Sequence, residues 1–273
     1  MSVEREVATH YTRGSLQERI FAALQSAGNA PANLKREDLG ALDNLHIGGQ
    51  EATEDLAGLF ELRPGMRLLD IGSGLGGPAR HFANLGCEVT GIDLTEDFVQ
   101  TASSLTRLLK LDDRVQFRQG SALEMPFESG TFDGAYMIHV GMNIQNKSGL
   151  SREVARVLKR GGRFVIFDLM GQEGSFAFPQ PWAIRAEMSF VAPLDDYRGA
   201  LKAAGFQIHH ERDRRQFALE FMQKMKDRAS NGAPPILGVH VLMGEQAPLM
   251  LHNANSAIAS GALTPMELMA STN

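Results

Sequence analysis

Short apolar segments alternate with helix-like segments through the middle of the chain, and this alternation limits the fold more than any other feature of the sequence. Six segments have the length and composition of strands, namely MRLLDIG, CEVTGID, VQFRQGS, FDGAYMIHV, RFVIFDLM and the weaker QIHHERD. Helix-like segments lie between them: PARHFANLG, EDFVQTASSLTRLLK and LSREVARVLKRGG, the last of which we expect to end at Gly161. Strands that alternate with helices indicate a parallel sheet of the α/β class.

Helical segments precede and follow this alternation. An early segment is helix-like, with the apolar residues Ile20, Phe21 and Leu24 on one face. Late in the chain, two further helix-like segments are separated by NGAPP, a sequence that breaks helices. The late helices form either a lid or an oligomer interface, such as that of a homodimer. The sequence thus predicts a Rossmann-like, doubly wound, seven-stranded sheet with helical cap elements. Its four parts are a helical N-terminal cap at 1–60, a core at 61–213, a helical lid insertion at 214–260, and the last strand, TPMELMA, within 261–273.

Composition and charge exclude several classes of protein. Of the 273 residues, 27 are basic and 32 acidic, which gives a net charge of −5, and no long run of lysine and arginine offers a surface to nucleic acid. The single cysteine, Cys87, lies in an apolar run and predicts neither a disulfide nor a metal site. Neither an apolar signal segment nor a stretch of about 20 apolar residues is evident. We therefore expect a cytoplasmic protein without a membrane span, acting on a small molecule.

The segment LLDIGSGLGG is compatible with two different cofactors. Gly72, Gly74 and Gly77 match the dinucleotide pattern G-x-G-x-x-G, whereas Asp70 with Gly72, Gly74 and Gly76 matches the acidic loop that binds S-adenosylmethionine. In both cases glycines allow the backbone a close approach to the ligand, and the following helix offers its N–H groups.

Two carboxylates help to choose between these cofactors. Asp93 closes the second strand, where it would accept hydrogen bonds from ribose hydroxyls of either cofactor. Asp70 ends the first strand, where a buried carboxylate would repel a pyrophosphate but attract the ammonium group of a methionine moiety. Asp70 therefore favours S-adenosylmethionine.

Four motifs in order resemble those of the class I S-adenosylmethionine-dependent methyltransferases. They are LLDIGSGLGGPARHFA, VTGIDLTEDFV, RVQFRQGSALEMPFESGTFDGAYMIHVGMNI and REVARVLKRGGRFVIFD, and LDNLHIGGQEATEDLA is similar to the segment that precedes them. The likeness is to the bacterial small-molecule type, related to the ubiquinone/menaquinone, tocopherol and sarcosine/dimethylglycine methyltransferases. It implies S-adenosylmethionine as the methyl donor and S-adenosylhomocysteine as the product.

The resemblance assigns residues to the donor. Asp70 and Gly72 would bind its methionine end, Asp93 its ribose, and Leu94 its adenine. The chain has Ser121 where the family commonly has an acidic residue, which predicts a weaker contact to the adenine amino group. All the residues assigned to the donor are Asp70, Gly72, Ser73, Gly74, Gly76, Asp93, Leu94, Ser121, Ala122, His139 and Gln50.

Two strand ends supply candidate catalytic residues. His139 ends the fourth strand and Asp168 the fifth, so both are expected at the crevice where ligands of such sheets bind, as proton acceptors for a methylated amine or hydroxyl. The residues assigned to the acceptor are His46, Trp182, Phe178 and Tyr11.

The sequence thus predicts methyl transfer to a nitrogen, oxygen, sulfur or carbon atom of a small molecule by in-line displacement. Two rival hypotheses are a nicotinamide-dependent oxidoreductase, which shares the glycine pattern and Asp93, and a non-catalytic S-adenosylmethionine-binding partner protein.

Overall fold

A seven-stranded mixed sheet forms the centre of the computed structural model, which describes residues 3–11, 16–29, 33–172, 174–230 and 238–273. The strands are β1 (Arg67–Ile71), β2 (Glu88–Asp93), β3 (Val115–Gln119), β4 (Phe132–Ile138), β5 (Leu158–Gly171), β6 (Phe206–Asp213) and β7 (Leu263–Thr272). Their order in the sheet is β3-β2-β1-β4-β5-β7-β6. This order confirms the predicted doubly wound, Rossmann-like sheet.

The parallel pairing expected of strands that alternate with helices does not extend to β7. Strands β1 to β5 pair in parallel, but β7 is antiparallel to both of its neighbours, β5 and β6. The chain leaves β6 at Asp213, forms only helices, and re-enters the sheet beside the same strand end, where Asp213 pairs with Met266. A chain that returns from the edge at which it left must run antiparallel.

Helices cover both faces of the sheet and the edge formed by the strand ends. In the described residues they are α1 (Val3–Tyr11), α2 (Leu16–Ser26), α3 (Arg36–Leu39), α4 (Gly49–Gly58), α5 (Gly77–Asn84), α6 (Glu96–Leu108), α7 (Lys147–Val157), α8 (Leu194–Ala203), α9 (Arg215–Ser230), α10 (Val239–Met243) and α11 (Ala247–Ser260). None of them is long and apolar enough to cross a membrane.

Helix α7 ends earlier than its sequence predicts. It stops at Val157, and Leu158 already belongs to β5, whereas the predicted helix continued to Gly161. Gly161 has a positive φ of 74° inside the irregular start of β5, where the register with β4 shifts. Gly161 and Gly162 thus form a bend in a strand and do not end a helix.

The central strands are buried on both faces, as expected for parallel strands between two helical layers. Leu68, Leu69 and Ile71 of β1 are fully buried. In register, Ile71 lies beside Ile92 of β2 and Met137 of β4. The loops that follow β1, β2 and β4 therefore meet at one edge of the sheet, where the candidate site lies.

Candidate active site

The loop after β1 has a conformation that requires glycine. Gly72, Gly74 and Gly76 have φ values of 70°, 50° and 81°, in the region that side chains other than glycine rarely adopt. At Gly72 a Cβ atom would also lie 2.4 Å from the Val140 side chain. The loop therefore brings its bare backbone against the wall of a cavity.

This cavity, of about 420 Å³, extends from the glycine loop to the helices between β6 and β7. Its lining includes most residues that were assigned to the donor: Asp70, Gly72, Ser73, Gly74, Gly76, Asp93, Leu94, Ala122 and His139. From the acceptor assignments it includes Tyr11, His46 and Trp182. The structure thus brings these residues together at the carboxyl ends of the strands.

Asp93 connects the end of β2 to the glycine loop. One carboxylate oxygen accepts a hydrogen bond from the backbone N–H of Gly74 and the other from that of Thr95, each at 2.9 Å. Burial raises the pKa of Asp93, while these two bonds oppose the rise. Both carboxylate oxygens can accept more than one hydrogen bond, so Asp93 can also accept from hydroxyl groups of a ligand.

Asp70 is a buried carboxyl group with an unused oxygen. Its Oδ2 atom has no hydrogen-bond partner among the described residues, and burial raises the pKa of Asp70 from 3.8 to about 8. Its contribution to stability is therefore fully present below pH 3.8 and is lost as the pH rises to about 8. A cationic group in the cavity would supply the missing partner, so Asp70 fits the ammonium group of a methionine moiety.

Ser121 does not line the cavity but contacts Glu4 of α1, so its assignment to the adenine stays a prediction without support from these contacts. Its hydroxyl donates a hydrogen bond to the carboxylate of Glu4 in α1, and it accepts one from the backbone N–H of Leu123 at 3.0 Å. The cavity is lined at this point by Gly120 and Ala122 instead. A hydroxyl engaged on both sides connects the N-terminal helix to the core and is not available to a ligand.

Gln50 is also misplaced by the sequence argument. It is exposed on α4, where its amide donates to Glu54 at 2.7 Å, and it does not line the cavity. Phe178 is half-buried against Phe176, with ring centroids 5.4 Å apart, and also lies outside the lining. The pattern gave a segment near the site but not the direction of each side chain, so both assignments stay predictions that these contacts do not support.

His139 lies at the cavity in an unusual backbone conformation. Its φ is +53°, its backbone N–H donates to Phe167 at 2.8 Å, and its ring lies 4.7 Å from the ring of Phe167. Neither ring nitrogen has a hydrogen-bond partner among the described residues. Burial, with a smaller effect of His46, lowers the pKa of His139 to about 3. The ring is therefore neutral at physiological pH and a weak base.

His46 forms a second neutral imidazole beside it, with ring centroids 6.4 Å apart. Its Nε2 atom lies 2.9 Å from the carbonyl oxygen of Gly49 and 3.1 Å from the hydroxyl of Thr53. Burial lowers the pKa of His46 to about 4. Histidines that are kept neutral by folding destabilise the protein as the pH falls from about 6.5 towards these values.

Asp168 does not line the cavity, so its assignment as a proton acceptor in the reaction is not supported. Its carboxylate is fully buried, accepts a hydrogen bond from the Tyr197 hydroxyl at 2.8 Å, and lies against the backbone of Gly141. The next residue, Leu169, lines the cavity instead, because successive side chains of a strand point to opposite sides. Asp168 thus supports the cavity wall from behind.

Sequence reasoning missed several residues of the lining. Asn143 follows β4 and connects two walls: it accepts a hydrogen bond from the Tyr11 hydroxyl at 3.2 Å and donates one to the Trp182 carbonyl at 3.0 Å. Met222 of α9 and Met250 of α11 also line the cavity. Asn143 lies in GMNI, the end of a motif quoted above, which is the signal that could have identified it. The late helices, which carry Met222 and Met250, have no comparable motif.

Comparisons with known proteins agree with this geometry. Residues 69–166 match the family described as Methyltransferase domain. The chain is 31% identical over 210 residues to methyltransferase GfsG of Streptomyces halstedii, covering 75% of this chain and 73% of that protein. It is 33% identical over 166 residues to sterol 24-C-methyltransferase ERG6B of Gibberella zeae, covering 58% of this chain. It spans only 44% of the length of that relative.

A solved structure, geranyl diphosphate C-methyltransferase of Streptomyces coelicolor A3(2), has the same fold, with a TM-score of 0.70 and 18% identity over 100% of this chain and 98% of that one. The sheet, the glycine loop and these matches define one class of protein. The chain belongs to the class I S-adenosylmethionine-dependent methyltransferases of the small-molecule type. The cofactor of this family is S-adenosylmethionine.

Proposed function

We propose that the protein transfers the methyl group of S-adenosylmethionine to a small molecule bound in the same cavity. The observation that carries the proposal is that Asp70 and Asp93, on the adjacent strands β1 and β2, line the same cavity as apolar side chains of β5, α9 and α11. The part near Asp70 and Asp93 is suited to a ligand with an ammonium group and hydroxyl groups. The apolar part is suited to a second, apolar ligand.

We assign the donor to the glycine-loop end. Asp70 would pair with its ammonium group and Asp93 would accept from its ribose hydroxyls, while Leu94 and Ala122 would contact the adenine. Ser73, whose buried hydroxyl has no hydrogen-bond partner among the described residues, would donate to the donor's carboxylate. Asp93 also holds the glycine loop in place through Gly74, so the loop is preorganised before the donor arrives.

The contribution of the chain to the reaction is alignment and exclusion of water. When bound, S-adenosylmethionine supplies a methyl group activated by the adjacent sulfonium. In-line displacement then depends chiefly on holding the acceptor atom opposite the leaving sulfur. The ring of His139, neutral with a pKa of about 3, is suited to orient a hydroxyl or carbonyl group by a hydrogen bond rather than to collect a proton at neutral pH.

The proposal keeps the four parts predicted from the sequence but moves the start of the lid to after Arg214. Met222 and Leu251, in the 214–260 segment, line the cavity and favour a lid over an interface. Arg214 itself is buried and pairs with Glu267 of β7 at 2.7 Å, so a lid would begin after it. The homodimer and the cytoplasmic location stay predictions.

The donor assignment predicts that binding releases a proton. At pH 7 the free protein holds Asp70 mainly protonated, because its pKa is about 8, and an ammonium partner would shift it to the carboxylate. Titration calorimetry with S-adenosylhomocysteine at pH 7, in buffers of different ionisation enthalpy, should therefore report release of about one proton per site.

The matched variant Asp70→Asn cannot release this proton and serves as the control. NADP⁺ tests the rival oxidoreductase, because it offers no ammonium group to Asp70. Tight binding of NADP⁺ without binding of S-adenosylhomocysteine would contradict the proposal, and so would equal proton release by the wild type and Asp70→Asn.

A further inference from the structure

The end of the cavity away from the glycine loop is lined by uncharged side chains. Met142, Leu169, Trp182 and Met222 line it as parts of one apolar cluster. Leu251 and Met250 of α11 complete this wall, which we call the acceptor wall. The charged residues of the lining are Glu4 of α1, Asp43, Asp70 of β1 and Asp93 of β2, and none of them belongs to the acceptor wall. The two ends of the cavity thus differ in charge as well as in position.

Two buried cations among the described residues, Lys147 and Arg214, are already engaged. The Lys147 ammonium group donates to the carbonyl oxygens of Gly141, Ile144 and Phe190, at 2.8, 2.6 and 2.7 Å. An ammonium group has three N–H donors, so all of them are used. Lys147 therefore stabilises the backbone beside the wall and has no free N–H group to donate to a phosphate or carboxylate of an acceptor.

Arg214 is engaged in a similar way on the other side. Its guanidinium forms ion pairs with Glu267 and Asp55, both at 2.7 Å, and lies 3.9 Å from the centroid of the Phe217 ring. Releasing it would leave the buried carboxylate of Glu267 without its arginine partner, which is strongly unfavourable for a buried charge. Neither Lys147 nor Arg214 lines the cavity, so an anionic acceptor would find neither of these two cations available.

The carboxylate of Asp168, next to Leu169 of the wall, is equally unavailable to a cationic acceptor. Asp168 accepts from Tyr197 and from the backbone N–H of Leu169, at 2.8 and 2.9 Å, and is directed away from the cavity. Glu4 also lines the cavity, but it accepts a hydrogen bond from Ser121, which follows β3, on the side of the sheet away from β5 and the acceptor wall. The polar groups that remain near the wall are neutral, notably the ring nitrogens of His139. These offer one donor and one acceptor when the ring is neutral.

We infer that the methyl acceptor is an uncharged, largely apolar molecule with a hydroxyl or carbonyl group, and not a phosphate ester, a carboxylate or an amine. This inference rests on the proposed function, because it names the substrate class of the same site. An ionised group on the acceptor wall would lose its hydration without gaining a partner, whereas an apolar skeleton gains from burial against methionine, leucine and tryptophan side chains.

A matched series of probes tests the inference: geraniol, geranyl phosphate and geranylamine share one skeleton and differ in charge. Trp182 is the only tryptophan of the chain and lies in the acceptor wall, so its fluorescence reports binding without any methyl transfer. With and without saturating S-adenosylhomocysteine, the dissociation constant of geraniol should be at least about tenfold lower than those of both charged probes. Absence of geraniol binding, or equal or tighter binding of either charged probe, would overturn the inference.

A charge placed on the wall should reverse this preference. Leu251→Lys is expected to weaken geraniol binding and to strengthen geranyl phosphate binding, each by about tenfold, because it supplies a free cation. Leu249→Lys, two positions away on α11 and 51% exposed, is the matched control and should change neither value. An unchanged preference in a folded Leu251→Lys variant would count against the inference.

Binding of S-adenosylhomocysteine, measured separately, keeps the two proposals distinguishable. Loss of that binding in the wild type would contradict the proposed function. Normal binding of S-adenosylhomocysteine with a preference for a charged geranyl probe would contradict only the inferred acceptor class.

Discussion

Asp43→Ala is expected to lower the free energy of unfolding by about 3–5 kcal/mol, because it removes one partner of a buried ion pair. Asp43 lies in the cap segment before α4 and forms this pair with Arg80 of α5, whose side chain is 0% exposed. Without Asp43 the guanidinium would keep, among the described residues, its hydrogen bond to Thr106 at 2.9 Å. The change should also loosen the cap, since Gly77 packs directly against the Asp43 backbone.

Thermal and urea unfolding measure this effect. The matched control is Asp113→Ala, which removes an exposed carboxylate from a pair at 3.9 Å and should change the free energy of unfolding by less than about 1 kcal/mol. If the two variants lose similar, small amounts of stability, the Asp43–Arg80 pair does not hold the cap onto the core.

Asp93→Ala is expected to raise the dissociation constant of S-adenosylhomocysteine by about tenfold to 150-fold. The variant would lose two charge-assisted hydrogen bonds to the ribose. We take their combined contribution to the binding free energy as about 1.5–3 kcal/mol, which corresponds to this range of dissociation constants. The backbone N–H groups of Gly74 and Thr95 would also lose their acceptor, which frees the glycine loop. Asp93→Asn keeps one carbonyl oxygen and should lose less.

Calorimetry on folded protein gives these affinities, with Asp113→Ala again as the control that should bind normally. Unchanged affinity in Asp93→Ala would mean that the ribose is held elsewhere. The melting temperature of each variant separates a lost ligand contact from a general loss of structure.

The parts of the structure that the sequence predicted correctly depend on local patterns. The apolar runs identify the strands, and parallel strands bring their carboxyl ends to one edge. Asp70, Asp93 and His139 therefore line one cavity although they are far apart in the chain. The glycine loop could be recognised because its positive φ values exclude most other residues.

The remaining features depend on contacts between distant segments, which a single sequence does not display. The direction of β7 is set by the helices that return the chain to the edge it left. Asp168 was placed at the correct strand end, but the alternation of side chains turned it to Tyr197 and not to the cavity. The pair between Asp43 and Arg80 joins two segments that show no common pattern.

The acceptor wall was beyond prediction for the same reason. Met222 and Leu251 come from helices that follow the last recognisable motif, and an amphipathic helix does not reveal which surface it covers. Trp182 could be named as a candidate only because it is the single tryptophan in an aromatic segment after β5.

The central claim is that one cavity holds a methyl donor at its acidic end and an uncharged acceptor at its apolar end. The most direct measurement is incubation of the protein with S-adenosylmethionine labelled in its methyl group and with a metabolite extract separated into neutral lipophilic, anionic and cationic fractions. We expect the label to appear in a product of the neutral lipophilic fraction, and to be lost from that product with Asp93→Ala. Label that stays on the donor in every fraction, while S-adenosylhomocysteine binds normally, would contradict the claim and favour a non-catalytic binding protein.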